Sequence, residues 1–239
     1  MKVFAIADLH LSFTGALDVV GWDNHEHKPM ADLDCAWHDH ARRIYENWRL
    51  LVREEDIVLV PGDISWAMRL AEANTDLSFL GLLPGQLVCV QGNHDYWWQS
   101  IAQVRAAAPR NVRFIQNDSV QLEGLTICGS RGWLCPNSAN FTEEDDKIYR
   151  RELIRLENSL QSAGDCPSLV MMHYMPTNEK HEYSGFIELL QKYQVSRAVY
   201  GHIHSGACRY RLPDEAWGIK FYLTSADWLD FSPQLIMEC

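Results

Sequence analysis

The sequence predicts an α/β fold. Three observations carry that reading. Short apolar runs such as Val3-Phe4-Ala5-Ile6-Ala7 and Ile57-Val58-Leu59-Val60 show no polar alternation, as expected of strands covered on both faces. Stretches with helical periodicity stand between several of them. The runs also end abruptly in Asp, His or Asn.

The first strand, Val3 to Ala7, ends in Asp8-Leu9-His10. Residues Ser12 to Asp34 read as one long irregular loop, and loops of that length are usually functional or mobile. Trp37, Ala41, Ile44, Trp48 and Leu51 then form one apolar helical stripe. Ile57 to Val60 is the second strand and ends in Pro61-Gly62-Asp63. A helix over Ala67 to Leu83 closes at Pro84-Gly85. Leu87 to Val90 is the third strand, followed by Gly92-Asn93-His94-Asp95, and Trp97 to Ala107 reads as a helix. Val112–Ile115, Ser119–Leu122 and Leu125–Cys128 are closely spaced with turn residues between them, which predicts an antiparallel meander. Phe141 to Ala163 is a helix with Thr142 as N-cap and four acids in its first turn. Leu169 to Met172 ends in His173, Phe186 to Tyr193 is a short helix, and Arg197 to Tyr200 ends in Gly201-His202-Ile203-His204. Ala207–Leu212, Ile219–Leu223 and Gln234–Met237 read as antiparallel strands.

With 239 residues, 47% of them apolar, the chain suits one domain spanning 1–239. The formal charge of −11 argues against a polyanion-binding surface and hence against nucleic acid as partner. Seven cysteines without a C-x-x-C motif read as reduced thiols, and five apolar residues before Asp8 are too few for a signal peptide. No apolar run reaches the roughly 20 residues of a membrane span, so the expected location is the cytoplasm.

Asp8 and His10, Asp63, Asn93 to Asp95, His173, and His202 and His204 all follow strands. Strand ends of open α/β sheets share one rim, where ligands bind. Carboxylate, imidazole and amide oxygen are ligands for borderline or hard divalent metals, and the set contains no cysteine, which argues against structural zinc. Seven candidate ligands exceed what one open metal site uses. They fit two ions about 3.5–4 Å apart sharing a carboxylate, an arrangement that clamps both oxygens of a phosphoryl transfer.

As a set, these motifs resemble the calcineurin-like metallophosphoesterase superfamily, in order from Asp8 to His204. The resemblance implies a four-layer α/β/β/α sandwich of two mixed sheets flanked by helices. It implies that Asp8, His10 and His204 hold one metal, that Asn93, His173 and His202 hold the other, and that Asp63 bridges. His94 would face the phosphate, with Asp95 supporting its ring, and a hydroxide between the ions would be the nucleophile. The ions are expected to be divalent, manganese foremost, with iron, zinc or nickel as alternatives. Many members carry an acid three residues after the bridging aspartate, where this chain has Trp66. The function expected is hydrolysis of a phosphomonoester or phosphodiester on a small phosphorylated substrate. A nuclease of the same chemistry and a non-catalytic metal-binding scaffold are the alternatives.

Outside that set, Arg131 in a glycine-flanked loop is a candidate phosphate contact, and His181 and Tyr183 are candidate pocket residues. His25, His27, His38 and His40 read as solvated residues, with a substrate-lid role for His25 and His27 as the other reading. Tyr96, Trp97 and Trp98 read as packing for the segment behind Asn93 rather than as a stacking platform.

Overall fold

The apolar runs become strands whose alternate side chains enter two different cores in the computed structural model, which describes residues 1–164 and 169–239. The chain runs through β1 (Lys2–Ala5), β2 (Phe13–Thr14), β3 (His25–Glu26), α1 (His40–Leu51), β4 (Ile57–Val60), α2 (Leu70–Gly81) and β5 (Gln86–Cys89). It continues through α3 (Ile101–Ala107), β6 (Val112–Phe114), β7 (Ser119–Leu122), β8 (Leu125–Ser130), α4 (Glu143–Ser162), β9 (Leu169–Met172) and α5 (Gly185–Lys192). β10 (Arg197–Tyr200), β11 (Glu215–Ala216), β12 (Ile219–Leu223) and β13 (Gln234–Glu238) complete it.

One sheet has the order β13-β1-β4-β5-β6, the other β11-β12-β10-β9-β8-β7. In the first, β1, β4, β5 and β6 are parallel and β13 is antiparallel to β1. In the second, β8, β9, β10 and β12 are parallel, while β7 and β11 are antiparallel edges. Val3, Ala5, Ile57, Leu59, Leu169 and Met171 point into a core between the sheets. Their neighbours Phe4, Val58 and Val60 face α1, α2 and α3, and Val170 and Met172 face α4 and α5. Period-two alternation therefore separates two buried faces, which is why the runs show no polar positions. The result is the expected helix–sheet–sheet–helix layering.

Several expectations are corrected. β6 is not part of a meander: it joins the first sheet parallel to β5, because Val112 and Phe114 belong to the core with Trp97 and Trp98. The chain then crosses to the second sheet through Asn117, whose φ is 64°. Ser205–Tyr210 is a 3-10 helix rather than a strand from Ala207, and Asp227 receives the Ser205 N–H at its start. β12 lies parallel to β10, not antiparallel. The 12–34 segment holds a β2/β3 ribbon, and buried Phe13 and Met30 anchor it. The third helix begins only at Ile101, because Trp97 and Trp98 tie their indole N–H groups to Asp95 and Gln116 instead. In contrast, α4 starts on Thr142 with a capping box closed by Asp145, as expected of that cap.

Cys35, Cys89, Cys128, Cys135, Cys208 and Cys239 are free thiols, while Cys166 lies outside the described residues. Among the described residues no helix is long and apolar enough to cross a membrane.

Buried Ser159 on α4 ties this helix to the crossing: its hydroxyl donates to the Asp118 carbonyl at 2.5 Å and accepts from the Gly129 N–H at 2.9 Å. Ser159→Ala strands both partners and should cost about 1–3 kcal/mol in urea melts. An exposed control, Arg150→Ala, should cost about 0.5 kcal/mol or less.

Candidate metal centre

The five clusters meet because the segments after the strands run beside one another. The Asp8 N–H donates to the Gly62 carbonyl and the His10 N–H to the Asp63 carbonyl, both at 3.0 Å, so β1 and β4 stay adjacent past their ends. Two glycines allow the closest approaches. A Cβ on Gly92 would fall inside hard contact with the Asp63 backbone and carboxylate, and one on Gly201 would lie 2.5 Å from Asp8 Oδ2. Asp8, His10, Asp63 and His202 all have φ between 46° and 71°, the left-handed region that side chains other than glycine rarely adopt. Strain of this kind persists where the surroundings over-determine it, and here it falls on four of the candidate ligands.

The side chains converge accordingly. Asp8, His10 and His204 offer donor atoms within 4.8 Å of one another, and so do Asp8, Asp63 and His173. Asp63 Oδ2 lies 3.8 Å from His10 Nε2 and 3.4 Å from His173 Nε2, between the two histidines. His202 joins them: its ring is 5.0 Å from that of His173, and its backbone N–H donates to Asp8 Oδ2 at 3.0 Å.

Hydrogen bonds at the back of two rings fix which nitrogen faces inward. His173 Nδ1 lies 2.9 Å from the Pro61 carbonyl, which can only accept, so Nδ1 carries the hydrogen. Its Nε2 then points a lone pair at Asn93 Oδ1, 2.6 Å away. Both side chains thus present donor atoms to the same point. His204 is held by Asp227 Oδ1 at 2.8 Å on Nδ1 and turns Nε2 toward Asp8 Oδ1 at 3.6 Å. Nδ1 of His10 and Nδ1 of His94 are buried without a hydrogen-bond partner. Oxygen and imidazole donors with inward lone pairs fit divalent metal ions.

Electrostatics agree with the geometry. Burial pushes the Asp8 carboxyl up, but His204, His173 and His10 together bring it below the usual carboxylate range. Burial and the charge of Asp8 push Asp63 well above that range. Burial and His173 lower His202 to about 3, and burial, His173 and Lys28 lower His94 to about 4. His204 rises to about 10: burial opposes its charge, but Asp8 and Asp227 outweigh burial.

Trp66 stacks on His10 at 4.8 Å and packs against His94 at 4.3 Å, with the Lys28 ammonium 3.2 Å from its ring centroid. An aromatic wall thus stands where an acid was expected by resemblance. The expected support of His94 by Asp95 is corrected. The Asp95 carboxylate instead receives the N–H groups of Gly92, Ile64 and Ser65 and the Trp97 indole, at 2.7 to 3.1 Å. It staples the Asp63 loop to the Asn93 loop.

Arg131 is engaged elsewhere, with Glu152 at 3.4 Å and stacked over Trp133, while its carbonyl receives the N–H groups of His173 and Tyr174. His181 bonds the Tyr210 carbonyl, and Tyr183 bonds Gln191 and packs on Trp217. Trp97 and Trp98 are buried and Tyr96 is exposed. His25 and His38 are exposed, whereas His40 is buried against Trp37 and Phe231.

Sequence reasoning missed Asp227 and Asp76. Asp227 follows β12 and is another acid just past a strand end, which was the available signal. Buried Asp76 holds the Ser65 hydroxyl and the Phe13 N–H, and it sits in a helix with no motif to mark it.

A family model described as calcineurin-like phosphoesterase matches residues 1–206, a span that contains every candidate ligand. An uncharacterized protein of Methanocaldococcus jannaschii is 28% identical over 94 residues, 39% of this chain, and the chain spans 47% of that relative's length. A protein of unknown function from Aquifex aeolicus has a similar fold, with a TM-score of 0.54 at 16% identity over 98% of this chain and 95% of that one.

Two predictions follow from the centre itself. In chelator-treated protein, His204 holds its proton up to about pH 10 when folded and to about 6.5 when unfolded. Its contribution is therefore full below pH 6.5 and lost as pH rises toward 10. Urea melts should show stability falling across that window, and His204→Asn should flatten the fall. Gly92→Ala should lower the divalent-metal content of purified protein by at least about tenfold, measured by plasma emission, because displaced ligands cost roughly that much.

Proposed function

The chain belongs to the calcineurin-like phosphoesterase family, and from that premise we propose that it hydrolyses a small phosphomonoester or phosphodiester at a centre of two divalent ions. One observation carries the reading: His173 and His204 are both fixed from behind, by Pro61 and Asp227, so that their free nitrogens meet the shared carboxylates. Asp8, His10 and His204 would hold one ion, Asn93, His173 and His202 the other, and Asp63 would lie between them. Bound there, the ions would neutralise phosphate oxygens and acidify a water nucleophile. The donor set of carboxylates, an amide oxygen and imidazoles accepts manganese, iron, zinc or nickel.

The chain's own residues then position and stabilise. His94 is half-buried and its N–H donates to Asp63 Oδ1 at 2.8 Å, which fixes the residue next to the centre. Burial keeps its ring neutral, so its role is to donate one imidazole N–H to a phosphate oxygen as charge develops. Trp66 holds the ring from the side. The −11 charge favours a small substrate over nucleic acid, and the free thiols suit a reducing cytoplasm.

Metal-reconstituted protein should turn over p-nitrophenyl phosphate or its phosphodiester analogue faster than single-stranded DNA. Absence of turnover with manganese, iron, zinc and nickel alike would favour a scaffold. His94→Ala should lower kcat by about 10²–10⁴-fold with metal content unchanged. Full activity in that variant would remove His94 from the chemistry.

A further inference from the structure

The metal centre opens on one side into a cavity of about 430 Å³. His202 and His204 form the shared wall, Leu134, Tyr174, Met175 and Ile203 give most of the apolar surface, and Ser138 and Glu179 are among the polar groups. The apolar lining begins at the metal ligands: the Tyr174 ring is 3.9 Å from that of His202, with 36° between their planes. The local sequence explains this. Met172 ends β9, so His173 turns to the metals while Tyr174 and Met175 continue into the cavity wall. After β10, His202 and His204 flank Ile203, which lines the cavity between them.

Several polar groups in this cavity are already committed. The Thr177 hydroxyl donates to the Asn178 carbonyl, and the Asn178 amide donates to Pro136 and Glu182. Glu179 accepts the Ala139 N–H at 2.9 Å, and the Tyr210 hydroxyl accepts from Arg209 at 2.8 Å. No lysine or arginine lines the cavity, and Glu179 would repel a second anionic group. Further phosphates would lose water here with no cation to pair with. An uncharged ring or hydrocarbon would be favoured, and the volume falls in the range of small-molecule pockets.

Resting on the phosphoesterase reading above, we propose that the substrate is a phosphate ester of an uncharged, apolar alcohol, aromatic or hydrocarbon, whose organic group occupies this cavity. Polyphosphates are the esters it rejects.

Calorimetry on the full-length, Mn²⁺-loaded protein tests this with three unreactive probes: methylphosphonate, 2-hydroxyethylphosphonate and 1-naphthylmethylphosphonate. Burial of the naphthyl group should tighten binding about 10–100-fold over methylphosphonate, while the hydroxyethyl group should add about twofold or less. Ala207→Glu, at an exposed position on the wall, should bring the naphthyl-to-methyl affinity ratio close to one, and Leu134→Ala should reduce it several-fold. If naphthylmethylphosphonate binds no tighter than methylphosphonate, or if both variants keep the wild-type ratio, the proposal is overturned and the phosphoesterase reading stands. If none of the three binds, both fall.

Discussion

Two buried carboxylates with no fixed cation beside them set the terms for this structure. Asp8 and Asp63 are almost fully inaccessible, and among the described residues their ion-pair partners are all histidines. A carboxylate in such a place must be neutralised, paired or bound to metal. Imidazoles cannot do this unaided, because burial drives His10, His173 and His202 toward their neutral forms. His204 alone takes up a proton, between Asp8 and Asp227. That imidazolium puts a unit of positive charge where a metal ion would supply two, so metal binding must displace the proton and couples to pH.

The same requirement accounts for the backbone. Neighbouring parallel strands leave their ends about 4.8 Å apart, too wide for side chains leaving the sheet edge to converge by alternation alone. Left-handed turns at Asp8, His10, Asp63 and His202 swing the side chains inward, and missing Cβ atoms at Gly92 and Gly201 let the turns interlock. Strain of a few kcal/mol across those residues needs a scaffold that cannot relax. Asp95 provides one such restraint, gathering four N–H donors from two segments onto a single buried carboxylate. A residue that reads as part of the chemistry is thus a brace, and its role could not be seen without knowing that Ile64 and Ser65 pass beside it.

What the sequence revealed follows the same division. Strands were legible because burial on both faces leaves unbroken apolar runs, and the candidate ligands were legible because polar types at strand ends defy core packing. Partners were not legible. β6 sits in the first sheet because Phe114 packs 4.9 Å from Trp98, a long-range contact that outweighs its short spacing from β7. β12 lies beside β10 although chain proximity suggested hairpins. Asp227 belongs with His204, 23 residues away in sequence, and only tertiary placement joins them. Arg131 showed a phosphate-binding residue type in a glycine-flanked loop, yet Glu152, fully buried on α4, claims its guanidinium.

Trp66 links the charge problem to substrate choice. An acid at that position would add negative charge beside His10 and His94 and would raise the proton affinity of both rings. An indole instead desolvates them and holds His94 neutral, so that ring can give a hydrogen bond without competing as a cation with the metals. The Lys28 ammonium over the same indole reinforces this from the far end of the 12–34 segment. With Trp37 also packed on His10 and His204, the centre has aromatic walls as well as the apolar cavity beyond His202. On the substrate proposed above, the phosphate would go to the metals and the organic group would meet a largely apolar wall, so recognition would rest on how much apolar surface the ester can bury.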